Sequence, residues 1–322
     1  VRKKKKICVV IPAHNEERLI TDVLDGLPGF VDWAVVVDDN SDDDTVGRVK
    51  GYRGRFKGKV KLVPLADNLG VGGAIARGYR EALDMGADVA VVMAGDNQMD
   101  PADLPAIVDP VIEDEADYTK GNRLLMGGSW KKIPKVRYLG NSTLSLLTKV
   151  ASGYWHVVDS QSGYTAINRK TLELIDIDDI YPRYGMPNDM LIKLNVINAR
   201  VKDVKVRPVY DVGERSEIRL LKVIPSILWL LIKGFFARLV KKYVIYDFHP
   251  LVFFYLLGLT LTPFGSLFGL YLIVIRILGL TGFVDYGVAP TSALFAAFLF
   301  ISGLQSLFFA MWFDMEYNKS LK

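Results

Sequence analysis

The run Ala94-Gly95-Asp96-Asn97-Gln98-Met99-Asp100-Pro101 gathers carboxylate and amide oxygens directly after the uncharged stretch Val89-Ala-Val-Val-Met93. Hard oxygen donors of this kind suit Mg²⁺ or Mn²⁺, and a cation so held can neutralise the phosphates of a nucleotide ligand. Similar polar clusters close two other apolar runs, at Pro12-Ala13-His14-Asn15-Glu16 and at Asp38-Asp39-Asn40-Ser41. In open α/β sheets the crevice beyond the carboxyl ends of the strands is where ligands bind, so these clusters are expected to share one rim. Asp100, just before Pro101, suits the N-cap of a following helix better than a ligand role. The glycines at 70, 72 and 73 do not form a dinucleotide fingerprint, because their spacing and the later ribose-binding acid are wrong.

Strands and helices must position these groups. Apolar runs at Ile7–Ile11, Trp33–Val37, Val60–Leu65 and Val89–Met93 read as strands, the uncharged Val89–Met93 as one buried on both faces. Helical stretches run from Glu17 to Leu27, from about Asp43, and up to Met85. The alternation predicts a parallel sheet with helices on both faces. Further on, strands are expected at Asp117–Gly121, Tyr164–Asn168 and Val201–Arg207, with helices at Arg137–Val150 and Asn188–Asn198. The single cysteine, Cys8, lies inside the first strand, so no disulfide framework exists.

Taken in order, Pro12–Glu16, Val37–Ser41, Asn68-Leu69-Gly70, Gly95–Pro101, Gly121-Asn122-Arg123 and Asp159-Ser160-Gln161-Ser162-Gly163-Tyr164 resemble the motif set of family 2 glycosyltransferases with the GT-A fold. The subgroup most similar is that of dolichyl- and polyprenyl-phosphate hexose synthases, over about residues 6 to 215. The resemblance implies a nucleotide-binding set of Pro12, Ala13, Glu16, Asp39, Asn68, Gly70 and Asp96, with Asp39 at the base and Glu16 at the ribose. It gives Asp96 and Gln98 as metal ligands and Asp96, Arg123, Arg137 and Asp159 as catalytic residues. Arg123, Arg137, Asn141, Arg207 and Arg215 are the candidates for an acceptor phosphate, since guanidinium forks match phosphate oxygens. Asp159 is expected either to orient the sugar or to act as a base. Asp189 stands where relatives with hydroxyl acceptors carry their base, and is expected here to be structural or sugar-binding. One departure is plain: Ala94 stands where many relatives have the first Asp of Asp-x-Asp, leaving water and phosphate to complete the coordination or a weaker site.

Beyond about Ile218 the composition changes. The chain of 322 residues is 50% hydrophobic and 24% charged, and its mean hydropathy of +0.21 averages a globular part with a strongly apolar one. A net charge of +4 is too modest to argue for nucleic acid. Residues 216–248 scatter Arg219, Lys222, Lys233, Arg238, Lys241 and Lys242 among apolar residues, which predicts an interfacial amphipathic helix pair with snorkelling cations. Residues 251–276 and 288–313 are each long enough to span a bilayer. Lys241, Lys242, Lys319 and Lys322 flank the spans, while the loop between them carries Asp285 and no cation. The positive-inside rule therefore places the catalytic domain, residues 1–215, in the cytoplasm. Arg276, at the far end of the first span, fits either snorkelling or a homo-oligomer contact.

The expectation is a membrane-bound, metal-dependent, inverting hexosyltransferase acting on dolichyl or polyprenyl phosphate. GDP-mannose is the favoured donor and UDP-glucose the next. A processive polysaccharide synthase is the second reading, although its usual Gln-x-x-Arg-Trp motif is absent. A non-catalytic nucleotide-sugar-binding scaffold, motivated by Ala94, is the third.

Overall fold

The computed structural model describes residues 5–124, 135–207, 209, 220–281 and 287–322; the side chains of residues 135–139, 141 and 220–223 are outside the description. The chain forms two compact units, Val1–Arg238 with Ser320–Lys322, and Leu239–Lys319.

The first unit is built on one seven-stranded sheet. Its strands are β1 (Ile7–Ala13), β2 (Trp33–Asp38), β3 (Val60–Pro64), β4 (Val89–Val92), β5 (Tyr118–Asn122), β6 (Thr165–Asn168) and β7 (Val201–Lys205), ordered β3-β2-β1-β4-β6-β5-β7. Alternate residues of β1 show how the sheet divides its core. Ile7, Val9 and Ile11 point into one apolar layer with Leu24, Ile107 and Val108. Cys8 and Val10 point into the other, with Ala74, Tyr79 and Met190. Helices α1 (Ile20–Gly26), α2 (Thr45–Gly51) and α4 (Leu104–Ile112) supply the first layer and its rim, and α3 (Gly70–Asp84) and α7 (Met186–Val196) the second. Burial pushes the Cys8 thiol up to about 12, as expected of an inert core cysteine.

The first four strands are parallel, as expected, and one later strand runs the other way. Strand β6 runs antiparallel to both β4 (Val91↔Ala166) and β5 (Thr119↔Ala166), whereas β5 and β7 are parallel to each other. Apolar patterning fixes which face of a strand is buried and leaves its direction open. A short helix α6 (Arg169–Leu174) follows β6, capped where the Asn168 side chain accepts from Thr171 N at 2.8 Å. Asp100 is an N-cap as expected, accepting from Ala102 N at 2.8 Å.

Helix α5 (Lys135–Ser152) packs beside α7, and helix α8 (Leu220–Val240) joins their apolar contact through Ile227 and Leu231. The expected helix pair at 216–248 is a single run among the described residues, continuing as a π-helix over Lys241–Tyr246. Gly234 lies within this helix without breaking it and packs closely against the Ile192 side chain. Two of the expected snorkelling cations are buried instead. Arg238 is fully buried, with Nε donating to Ala151 O at 2.9 Å and Nη2 to Val150 O at 3.2 Å, satisfying carbonyls at the end of α5. Lys242, in the second unit, donates to Asn318 Oδ1 at 2.7 Å.

The second unit contains two helices, α9 (Leu251–Leu280) and α10 (Pro290–Tyr317), of 30 and 28 residues, both long and apolar enough to cross a membrane. They meet through glycines: a Cβ at Gly265 would lie 2.5 Å from Phe300 N, and one at Gly303 would lie 2.5 Å from Thr262 N. Asp314 at the far end of α10 is buried and accepts from Tyr243 Oη at 2.5 Å.

Candidate active site

Six strands point the same way, so the loops after β1, β2, β3, β4, β5 and β7 and the loop before the reversed β6 share one sheet edge. The predicted clusters lie on that edge, and backbone hydrogen bonds tie them together. Pro12 O accepts from Gly95 N at 3.1 Å, and Ala13 O accepts from Asp39 N at 2.8 Å. Asn15, in the left-handed region at φ 59°, accepts from Asp42 N at 2.8 Å. Glu16 N donates to Thr45 Oγ1 at 2.8 Å, clamping the end of β1 to the start of α2.

Asp39 is 4% exposed, and both its oxygens are engaged. Oδ1 accepts from Leu69 N at 2.7 Å and Oδ2 from Gly70 N at 2.9 Å, at the first turn of α3. A buried carboxylate thus satisfies the orphan donors of a helix N-terminus. Asn68 Nδ2 donates to Asp39 O at 3.3 Å. Two further donors of that turn, Gly72 N and Gly73 N, go to Pro182 O at 2.8 and 3.1 Å. At Gly70 the protein's own backbone comes close: a Cβ there would sit 2.6 Å from Pro182 O, at φ +81°. The segment at Tyr181 is itself held by Asp189, whose Oδ2 accepts from Tyr181 N at 2.9 Å. Burial raises the Asp189 pKa although Lys193 lies against it.

The loop after β4 is a compact turn. Asp96 Oδ1 accepts from Gln98 N at 3.0 Å, Asn97 has φ 57°, and Ala94 N donates to the Met99 sulfur at 3.2 Å. Among the described residues no group of three or more His, Cys, Asp or Glu could hold a metal ion. Asp96 is nevertheless crowded by negative charge. Burial pushes Glu16 up to about 7, and the charges of Asp96 and Asp43 add to the push. One carboxylate, one amide oxygen and a neighbouring acid fit a cation that keeps waters and takes its remaining ligands from substrate phosphates.

Across the edge, Arg123 and Asp159 form a fork. Arg123 Nε donates to Asp159 Oδ2 at 2.8 Å and Nη2 to Oδ1 at 3.1 Å, and Oδ1 also accepts from Gln161 N at 3.2 Å. Asp159 is 1% exposed and Arg123 27% by side chain. Burial alone would raise the Asp159 pKa, but Arg123 and Lys120 outweigh it and hold it below the usual range. An ionised carboxylate tied on both oxygens is poorly placed to take a proton. Arg207, expected to be open to phosphate, is instead paired: Nε lies 3.1 Å from Asp103 Oδ1, and Nη2 3.2 Å from Asp100 Oδ2. It thereby braces the turn that carries Asp96. The side chains of Arg137 and Asn141, and all of Arg215, lie outside the described residues.

Sequence reasoning passed over several groups beside the fork. Gln161 Nε2 and Thr148 Oγ1 both donate to Asn188 Oδ1 at 2.8 Å, linking the loop before β6 to α5 and α7. Lys120, on β5, is fully buried. A lysine in the middle of an otherwise inward-facing strand is the one signal that marked it.

This sheet, carrying an Asp-x-Gln turn after its central strand and nucleotide-loop motifs on the same edge, is the GT-A-like core of a glycosyltransferase. The family profile "Glycosyl transferase family 2" matches residues 8–175, and the chain belongs to that family. It is 31% identical over 218 residues to the UDP-N-acetylglucosamine–dolichyl-phosphate N-acetylglucosaminyltransferase of Methanococcus voltae, covering 64% of this chain and 86% of that protein. It is 30% identical over 204 residues to the undecaprenyl-phosphate mannosyltransferase of Micrococcus luteus, covering 62% and 82%. Among solved structures it resembles glucosyl-3-phosphoglycerate synthase from Mycobacterium tuberculosis in complex with Mn²⁺, UDP and glucosyl-3-phosphoglycerate. That likeness has a TM-score of 0.52 at 22% identity over 74% of this chain and 81% of the other, and shows the fold alone.

Proposed function

We propose that this chain transfers a hexose, with inversion, from a nucleotide sugar to dolichyl or another polyprenyl phosphate at the cytoplasmic face of a membrane. One observation carries the reading. Glu16, Asp39, Asp96 and the Arg123 fork share one sheet edge, in a chain that continues into two membrane-length apolar helices. The lipid-phosphate substrates named for the relatives support it. In this arrangement residues 1–215 are catalytic, 216–248 lie at the bilayer surface and 249–322 form the hairpin.

Asp39, Asn68, Pro12, Ala13 and Glu16 frame the nucleotide, and the Asp39 carboxylate also fixes the turn at Gly70. Asp96 and the Gln98 side-chain oxygen would hold Mg²⁺ or Mn²⁺, which when bound supplies Lewis-acid neutralisation of the departing diphosphate. Arg123, aimed by Asp159, presents its guanidinium to the acceptor phosphate, and Arg137, Asn141 and Arg215 complete that site. A phosphate monoester has a second pKa near 6, so the acceptor is largely ionised at neutral pH and needs orientation more than a base. The engagement of both Asp159 oxygens agrees with this. GDP-mannose is the favoured donor, with UDP-glucose next.

The test is transfer of labelled sugar to the organic phase by the purified protein with polyprenyl phosphate. GDP-mannose, UDP-glucose and UDP-N-acetylglucosamine are run in parallel, with Mn²⁺, Mg²⁺ or EDTA. Label that appears with one donor, and is lost in EDTA, is the expected result. Nucleotide binding without label from any donor would refute the reading in favour of a scaffold, with Ala94→Asp as the deciding variant.

A further inference from the structure

Lys120 lies directly behind the Arg123 fork, and the transfer chemistry gives it no task. Its Cα pairs with Asp203 of β7 and with Thr165 of β6, so Lys120 and Asp203 are cross-strand neighbours. The Lys120 ammonium is fully buried, and among the described residues it makes one hydrogen bond, to Ser162 O. An ammonium carries three donors. Asp203 shows the complementary deficit. Its Oδ2 accepts from Val158 N at 2.8 Å and Asn122 Nδ2 at 2.5 Å, while its buried Oδ1 has no partner. Lys120, Arg123, Asp159 and Asp203 thus place two cations and two carboxylates in one largely dry patch.

The groups facing Lys120 come from three elements. Arg123 stands on the end of β5, Asp203 on β7 and Asp159 on the loop before β6. His156, from that same loop, faces Asp203 and donates Nε2–H to Val201 O at 2.7 Å. Burial pulls Lys120 down to about 8; Asp159 and Asp203 oppose this and Arg123 adds to it. Burial raises Asp203.

We propose that Lys120 is a positioning residue, whose buried ammonium completes a charge-balanced quartet with Arg123, Asp159 and Asp203 and so holds the Arg123 fork in its outward-facing geometry. With Lys120 discharged, two buried carboxylates share one guanidinium. Arg123 is drawn inward, away from an acceptor phosphate. The inference rests on the reading that Arg123 meets that phosphate.

The experiment compares the full chain in detergent with Lys120→Met and with Lys120→Met/Asp203→Asn, in which the charge is balanced again. Acceptor KM, donor KM and kcat are measured from about pH 6.5 to 9.5, with melting temperatures alongside. Lys120→Met is expected to raise acceptor KM roughly tenfold at neutral pH with donor KM unchanged. In the unaltered chain acceptor KM climbs above about pH 8, and this limb disappears in Lys120→Met. The double variant recovers most of the acceptor affinity. An acceptor KM for Lys120→Met within about twofold of the unaltered chain, or an alkaline limb that persists, overturns the proposal. So does a double variant no better than the single one, since a purely steric role for the lysine would give that result. If the unaltered chain turns over no lipid phosphate, the transferase reading fails by itself, and melting then decides the quartet. A double variant that melts above Lys120→Met supports it, and one that melts at or below it overturns it.

Discussion

Asp159→Asn separates a carboxylate that aims Arg123 from one that takes a proton. Asparagine keeps the shape and can still accept from Gln161 N, but it removes the charge on which Arg123 Nε (2.8 Å) and Nη2 (3.1 Å) converge. Breaking a buried ion pair by removing one partner costs about 3–5 kcal/mol. The Arg123 side chain keeps 27% of its exposure, so water offsets part of that loss. About 2–3 kcal/mol remains. For a domain of this size 1 kcal/mol shifts Tm by about 2–4 °C, so the variant should melt about 5–10 °C below the unaltered chain. The pH dependence has a definite sign. The folded pKa of Asp159 lies below its unfolded value, so the stabilisation is fully present above the unfolded carboxyl range near 4 and is lost as pH falls through the folded value. The gap between the two proteins should therefore stay constant from about pH 5 upward and close only in stronger acid. The assay is differential scanning fluorimetry in detergent, paired with transfer rates. Unchanged melting would refute the ion-pair argument. Unchanged melting together with a rate loss of about a hundredfold or more would make Asp159 a base.

Three further outcomes follow from the same geometry. Asp39→Asn leaves one acceptor for two backbone donors, which should cost about 2 kcal/mol and weaken nucleoside diphosphate binding in the same variant; calorimetric titration and melting would have to separate for the argument to fail. Glu16 has a raised folded pKa, so its contribution to stability is present below about 4.5 and lost as pH rises through about 7. In EDTA, Glu16→Gln should therefore melt above the unaltered chain at pH near 8, by the equivalent of about 1–2 kcal/mol after allowance for solvent, and a Tm difference that does not vary with pH would count against it. Gly303→Val should force α9 and α10 apart, because even a Cβ would lie 2.5 Å from Thr262 N; proteolytic resistance of residues 239–319 should drop, and an unchanged digestion pattern would show that the helices do not meet there.

The strands were readable because β1 and β4 are uncharged runs rich in β-branched residues and β2 is one up to its terminal Asp38, a pattern that suits buried parallel strands. The direction of β6 was not, because alternation is the same whichever way a strand is threaded. Helix α6 escaped notice because six residues are too few to show a helical period. In the site, the resemblance to family 2 glycosyltransferases singled out Asp39, Asp96, Arg123 and Asp159, but their partners were hidden. That Asp39 caps α3, that Pro182 fills the space beside Gly70, and that Arg207 belongs to Asp100 and Asp103 are facts of long-range contact. Arg238 and Lys242 were misread for a related reason: a cation amid apolar residues looks the same whether it reaches for water or for buried oxygens.

The reversed strand β6 has a consequence for how such an enzyme can be assembled and altered. A forward strand delivers the loop that follows it to the active edge, whereas a reversed one delivers the loop that precedes it. Asp159–Gly163 is thereby set between the ends of β4 and β5, with β6 stitching the strands that carry Asp96 and Arg123. In the proposed reading, donor-handling groups come from the chain up to Gln98 and acceptor-handling groups from beyond Asp117, with α4 as the bridge. The two segments meet along the β4–β6 ladder, where Val89 to Val92 pair with Asn168 to Thr165 through backbone bonds that do not depend on side-chain identity. A recombinant chain that takes one segment from this protein and the other from a relative would need to preserve that ladder, its apolar faces and the bonds from Gly72 and Gly73 to Pro182. Donor and acceptor preference could then be inherited as separate modules.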